Sequence, residues 1–294
     1  FIQSFLHKSL VFIFCLQILS FYTFAFEWPQ EEKILSDSFY SYFGQLRGNT
    51  ISSSLIFANP SEIKASEEGD ITIIIEEHND DSDFFPSTLG NAVVVEHKDN
   101  ILTVYGNIDA NYISDEIFEN PKVTAGTKFG TSGNSGWQQG HSSLEFQVID
   151  AKNKTFINPR SLMPRIGNEL RLSITDVVLQ NKNGKKYTLP LTYPIPTGTY
   201  KIYKKRQNIA IPYKTNLLLN GTVVDSISYD LLRQIEGKIC VSGKSNYSKD
   251  ILYPNEDLQL IGETAITHGK NTITIRLSDI LGKEIVANYI VQTY

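Results

Sequence analysis

Helical periodicity is scarce along this chain, and that constrains its fold more than any other feature. Short alternating or wholly apolar runs recur instead, separated by Gly, Asn, Asp and Pro. Asp70-Ile71-Thr72-Ile73-Ile74-Ile75, Ala92-Val93-Val94-Val95-Glu96, Ile101-Leu102-Thr103-Val104-Tyr105 and Leu144-Glu145-Phe146-Gln147-Val148 are examples. β-Branched and aromatic enrichment bounded by turn residues predicts strands, so the chain reads as all-β. Between two of these runs, EEHNDDSDFFPS (76–87) reads as an acidic, solvated hairpin extension. Its carboxylates lack the regular spacing of a calcium loop.

The texture changes after Pro164. Strand-like pieces follow at Leu170–Leu179, Gly198–Tyr203, Asn216–Val224, Lys238–Val241, Leu258–Ile261, Thr272–Leu277 and Glu284–Gln292. Their spacing predicts an immunoglobulin-like β-sandwich over 166–294, with Ser278-Asp279-Ile280-Leu281-Gly282-Lys283 turning between the last two strands. His268 stands alone in a turn, and nothing here gathers catalytic residue types, so this part reads as an accessory domain. The 294 residues have room for two domains. Charge divides at the same place. Residues 26–165 hold 21 acidic and 10 basic residues, net −11; residues 166–294 hold 11 and 16, net +5. Such asymmetry suggests modules that attract each other or different partners.

The first 25 residues differ in kind. Lys8 precedes an almost continuous apolar run to Phe24, and Thr23-Phe24-Ala25 supplies small residues, the pattern of a secretory signal peptide cut after Ala25. Export to the periplasm or cell envelope is the expectation, with membrane attachment only if this segment is retained. Bulky Phe12 to Phe14 beside Cys15 do not suit lipid attachment. Beyond it Cys240 is the lone thiol, which leaves no disulfide framework and no cysteine zinc cluster. Its setting, Lys238-Ile239-Cys240-Val241, reads as a buried strand.

Over about residues 40–164 an ordered set of landmarks appears. Tyr42-Phe43-Gly44 opens it. Ile63-Lys64-Ala65 and Gly69-Asp70-Ile71 follow, then Gly90-Asn91-Ala92 and its strand to His97. Thr103-Val104-Tyr105-Gly106-Asn107-Ile108 comes next. Val123-Thr124-Ala125-Gly126, Phe129-Gly130 and Gly133-Asn134-Ser135-Gly136 form a glycine-rich approach to Leu144-Glu145-Phe146-Gln147-Val148, and Asn158-Pro159 closes the set. This series resembles the lysostaphin or LytM-type zinc metallopeptidases, which cut peptide cross-links in bacterial peptidoglycan. The resemblance implies a LytM-like β-sheet of the duplicated hybrid motif type over 26–165. It also implies zinc held by a His-x-x-x-Asp segment and by the second histidine of a His-x-His strand, with two further histidines steering the water. Catalytic zinc takes three protein ligands and a water whose pKa it lowers.

In that register the functional positions carry other residues. The metal positions are Ser52, Ile56 and Glu145, and the catalytic histidine positions are Asn107 and Ser143. Glu145 alone is a zinc-binding type. His141 shares its strand face, which gives two donors where three are needed, and His78 and His97 have no ligand-spaced companions. The expectation is a degenerate member without zinc or any other cofactor, and with no catalytic residues. Asn107, Ser143 and Glu145 would floor a groove, with His141 and Tyr105 beside it, open to hydrogen-bond a peptide or partner segment. Within that family, degenerate members bind wall or activate wall hydrolases, which makes peptidoglycan or a hydrolase the expected partner. An active endopeptidase with an unrecognised ligand set and a structural envelope or adhesion module remain as alternatives.

Other classes find little support. The run Gly126–Gly140 lacks the Gly-Lys-Ser/Thr ending of a phosphate loop, and no Gly-x-Ser-x-Gly elbow is present. An acidic first part argues against nucleic acid. Sequons at Asn153, Asn220 and Asn246 matter only in a eukaryotic secretory pathway.

Overall fold

The computed structural model describes residues 26–30, 33–76, 87–138 and 140–294. The signal-peptide segment 1–25 with Cys15, and the acidic loop from 77 to 86 with His78, lie outside the described residues. The regular elements of the described residues are nearly all strands, with a few single-turn helices between them. The apolar runs are the strands: Gly69–Ile75, Asn91–Glu96, Ile101–Ile108 and Glu145–Asp150.

One antiparallel sheet runs from end to end of the molecule. Its order is Lys122–Val123, Gly69–Ile75, Asn91–Glu96, Ile101–Ile108, Glu145–Asp150, Thr155–Ile157, Thr222–Ile235, Lys214–Leu219, Gly269–Ser278 and Glu284–Thr293. Thr155–Ile157 is the hinge of this arrangement. It pairs with Glu145–Asp150 on one side and with Leu231–Arg233 of the long strand on the other. The C-terminal part adds a second sheet, ordered Lys186–Thr188, Val178–Asn181, Gly198–Lys205 and Leu258–Ile266. Leu179, Tyr187, Ile202 and Ile261 of that sheet form one core with Leu217, Ile273, Ile275, Leu277 and Val291 of the first, so two sheets face each other.

The N-terminal core sits on one face of the strands, where Val93, Val95, Tyr105, Phe129, Phe146 and Val148 are buried together. Another cluster joins the two parts, uniting Phe43 and Ile51 with Tyr203, Ile227, Tyr229, Tyr253 and Leu260. Polar bonds reinforce that join. Tyr253 Oη donates to Gly44 O at 2.8 Å and Asn158 Nδ2 to Tyr229 O at 2.9 Å. Arg160, also packed over the rings of Phe39 and Tyr42, pairs with buried Glu169.

Two predicted strands come out differently. Leu170–Leu179 is extended but pairs only from Val178 onward, because Gln207 takes the backbone of Arg171 and Ser173 (3.0 and 2.8 Å) in place of a ladder. Asn216–Val224 is two strands. Asn220 and Gly221 both have positive φ (51° and 85°), the two-residue turn whose twist suits a hairpin. Cys240 is buried in its strand as expected, and the final turn falls between Ser278 and Glu284.

Candidate functional site

Antiparallel register brings the predicted positions together. Ile56, on Leu55–Phe57, faces Glu145 across one strand pair, and Gly106 faces it across the next. Ser52 lies just before Leu55–Phe57, and Asn107 follows Gly106. Because successive strand residues alternate in face, Glu145 points away from the core that Phe146 and Val148 enter.

Glu145 is 2% exposed and its carboxylate is fully engaged. Oε1 accepts from Arg47 Nη1 at 2.5 Å and from Ser54 Oγ at 2.6 Å. Oε2 accepts from Arg47 Nη2 at 2.9 Å and from Gln138 Nε2 at 2.8 Å. The guanidinium thus grips both oxygens, the fork geometry that makes arginine–carboxylate pairs strong. Two neutral donors complete the shell, so two lone pairs on each oxygen are in use.

Ser52 turns inward, with its Oγ donating to Ser54 O at 3.1 Å, and Ile56 is 2% exposed. These residues do not fit zinc. Ile56 has no donor atom, the Ser52 hydroxyl is bound to its own loop, and both oxygens of Glu145 already serve a cation and two neutral groups. Among the described residues no three His, Cys, Asp or Glu side chains gather into a metal-binding group.

Asn107 does a different job from any histidine. The strands Asn91–Glu96 and Ile101–Ile108 slip by one residue between Asn91 and Ala92, leaving Asn107 as the extra residue of a bulge with φ +65°. Asparagine tolerates that left-handed conformation better than most residues. Its side chain then pins the glycine-rich segment. Nδ2 donates to Gly133 O and Ser143 O, both at 2.7 Å, while Oδ1 accepts from Gly136 N at 2.8 Å. Gly90 permits the close packing of this segment, since a Cβ there would lie 2.3 Å from the Ser135 backbone.

The expected open floor is therefore corrected. Asn107 and Ser143 are 0% exposed, and Glu145 scarcely more so; their polar groups are spent inside the protein. Tyr105 is corrected as well. It faces Phe146 rather than Glu145 across the ladder, so it enters the core, its ring against Phe129 at 4.8 Å and its Oη accepting from Ser66 N at 2.8 Å. Burial pushes its pKa upward. His141 does stay at the surface, stacked on Tyr40 with ring centroids 4.1 Å apart.

Above the buried site opens a cleft of about 490 Å³, with Arg47, Ile56 and Gln138 at its base and Tyr40, Trp137 and Ile209 on its walls. Trp137 and Ile209 are strongly exposed. Ile209 comes from the C-terminal part, and Gln45 Nε2 reaches across to Asn208 O at 3.0 Å.

Arg47, Ser54 and Gln138 are the site residues that motif reading passed over. A signal for the first was present: Arg47 is the single arginine among residues 1–159, and a buried carboxylate needs a cation from somewhere.

Comparison with known proteins bears on the part of the chain that holds this site. The model of peptidase family M23 matches residues 52–159, from Ser52 through Asn107, Ser143 and Glu145. Residues 52–159 are an M23-family domain of the LytM type. A second family model matches residues 171–294. An uncharacterized protein of Treponema pallidum (strain Nichols) is 26% identical over 121 residues, 38% of this chain and 79% of that protein.

Proposed function

We propose that this chain is an exported, catalytically inactive M23-type protein of the cell envelope, which binds peptidoglycan or regulates a wall hydrolase. One observation carries the reading: at the metal positions Ile56 offers no donor, and Glu145 is held by the Arg47 guanidinium, Ser54 and Gln138. A hydrolytic zinc needs three ligands and a water position, and no such set is available from these side chains. The M23-family domain supports a wall polymer, or a protein that acts on it, as partner. The cleft walled by Tyr40 and Trp137 lies in the volume range of small-ligand sites, with aromatic walls and a few polar groups at its base. That is the binding surface in this reading.

The test is metal content and zinc affinity of residues 26–294 at neutral pH, beside cleavage and co-sedimentation assays on purified peptidoglycan. The reading expects no stoichiometric zinc and no cleavage, together with retention on peptidoglycan or a changed rate of a wall hydrolase. Tight, stoichiometric zinc with cleavage of cross-links would overturn it.

A further inference from the structure

The last strand of the long sheet, Glu284–Thr293, pairs on one side only, with Gly269–Ser278 in ten consecutive, unshifted registers. Its other side is an edge. Two bonds fix which backbone groups face outward there: Ile195 N donates to Gln292 O at 3.0 Å, and Tyr294 N donates to Ile195 O at 3.1 Å. Alternation along an antiparallel strand then turns the N–H and C=O of Val286, Asn288 and Ile290 outward too. Among the described residues the segment at Ile195 covers only the end near Gln292, so these three residues present a free row of donors and acceptors.

Exposed edges of this kind are normally blunted by shortness, lysine, proline or a bulge. The remaining single-sided strands of the same sheet, Lys122–Val123, Phe39–Ser41 and Asn246–Ser248, are two or three residues long. Glu284–Thr293 is ten residues long, without lysine, proline or register shift. Its outward side chains include Val286 at 51% and Ile290 at 59% exposure.

The geometry points to a second copy of this chain as the occupant, its Glu284–Thr293 strand added antiparallel about a two-fold axis through Asn288. The argument is the order of the exposed face: Glu284, Val286, Asn288, Ile290 and Gln292 run polar, apolar, polar, apolar, polar. That order reads the same in both directions, so antiparallel self-pairing about Asn288 sets apolar against apolar and polar against polar. Val286 of one copy lies opposite Ile290 of the other, twice over, and each such pair exchanges two backbone hydrogen bonds. Asn288 meets its own symmetry mate. Its Oδ1 accepts from Thr274 Oγ1 at 2.6 Å and keeps a second lone pair, so the two amides can bond reciprocally. Two-fold, self-complementary contacts are the commonest route to a homodimer.

Sedimentation equilibrium of residues 26–294 over 1–100 μM is the test, with Ile290→Lys and Asn288→Cys beside the natural sequence. A concentration-dependent dimer is expected, lost over that range in Ile290→Lys while circular dichroism is unchanged, since the side chain is exposed. Residues 288 of the two copies lie about 5.5 Å apart at Cα, within disulfide reach, so Asn288→Cys cross-links on mild oxidation. Residues 290 lie about 14 Å apart by strand rise, so Ile290→Cys does not. A monomer throughout, a dimer indifferent to Ile290→Lys, or cross-linking at 290 in place of 288 each overturns the pairing.

Discussion

Removing the Arg47 guanidinium tests the reading of the site most directly. Glu145 is 2% exposed and also bonded to Ser54 and Gln138, so Arg47→Ala leaves its charge with two neutral donors and no counter-ion. Breaking a buried pair by deleting one member costs about 3–5 kcal/mol. The Arg47 side chain is 31% exposed, so water entering its vacated volume restores part of the carboxylate's solvation, which lowers the expected loss to about 2–3 kcal/mol. That corresponds to a fall in Tm of roughly 4–12 °C for a chain of this size. Glu145→Gln leaves a guanidinium that water can reach and loses less, about 1–2 kcal/mol. Arg47→Met with Glu145→Leu removes both charges together and is expected within about 1 kcal/mol of the natural protein. The double replacement is therefore expected to cost less than the two single losses together, by roughly 2 kcal/mol. Urea unfolding followed by Trp28 and Trp137 fluorescence measures each arm. A double replacement as costly as the two single losses together, or an Arg47→Ala loss below about 0.5 kcal/mol, would refute the claim that the guanidinium is the counter-ion of Glu145.

Two further outcomes follow from the same region of the fold. Asn107→Ala strands Gly133 O, Ser143 O and Gly136 N and places a Cβ residue at φ +65° without local hydrogen bonds; a loss of about 3 kcal/mol is expected in urea titrations, with Asn107→Gly losing about 1 kcal/mol less because glycine is unstrained there. His97 is buried between Glu68 O and Thr103 Oγ1, each at 2.7 Å, and burial lowers its pKa from the ordinary value. The folded protein thus prefers neutral imidazole. The stability this contributes is complete above a pH of about 6.5 and is lost as pH falls through the depressed folded value. His97→Gln should flatten that part of the pH profile of urea midpoints.

Strand content and most strand positions were legible because alternation is a local property. The exceptions have local causes of their own. Asn220-Gly221 is a hairpin signal hidden inside an apolar stretch, and Leu170–Val177 looks like a strand until Gln207, more than thirty residues away, takes its backbone. The long strand Thr222–Ile235 escaped notice because Asp225 occupies one of its buried positions. Asp225 is accommodated there by three donors, Lys244 N, Tyr247 Oη and Glu263 N at 2.6–2.8 Å, all distant in sequence or on other strands. The site divides similarly. Landmark order placed Ser52, Ile56, Asn107, Ser143 and Glu145 in register, but their exposure could not be read from them. Tyr105 is put in the core by ladder register, and the floor is closed by Arg47 and Gln138, neither of which is a landmark residue.

The closure of that floor follows from electrostatics. A bound divalent cation is one source of the charge that makes a buried acid tolerable. With serine at one metal position and isoleucine at another, the ligand count falls below what zinc requires, yet a carboxylate at position 145 still needs a positive partner, because an unpaired buried charge is among the costliest features a fold can hold. Arginine satisfies that need without a metal. It is permanently charged, its fork matches both carboxylate oxygens, and its stem reaches the site from Leu46–Arg47 at the rim of the cleft. The same side chain that balances Glu145 below lines the cleft above. A ligand that drew Arg47 toward itself would therefore have to overcome the pairing with Glu145, and one that left the pair intact would meet a rigid, charge-balanced base. For the ligand proposed above, the arrangement therefore favours rigid recognition on the aromatic walls, with the Arg47–Glu145 pair undisturbed.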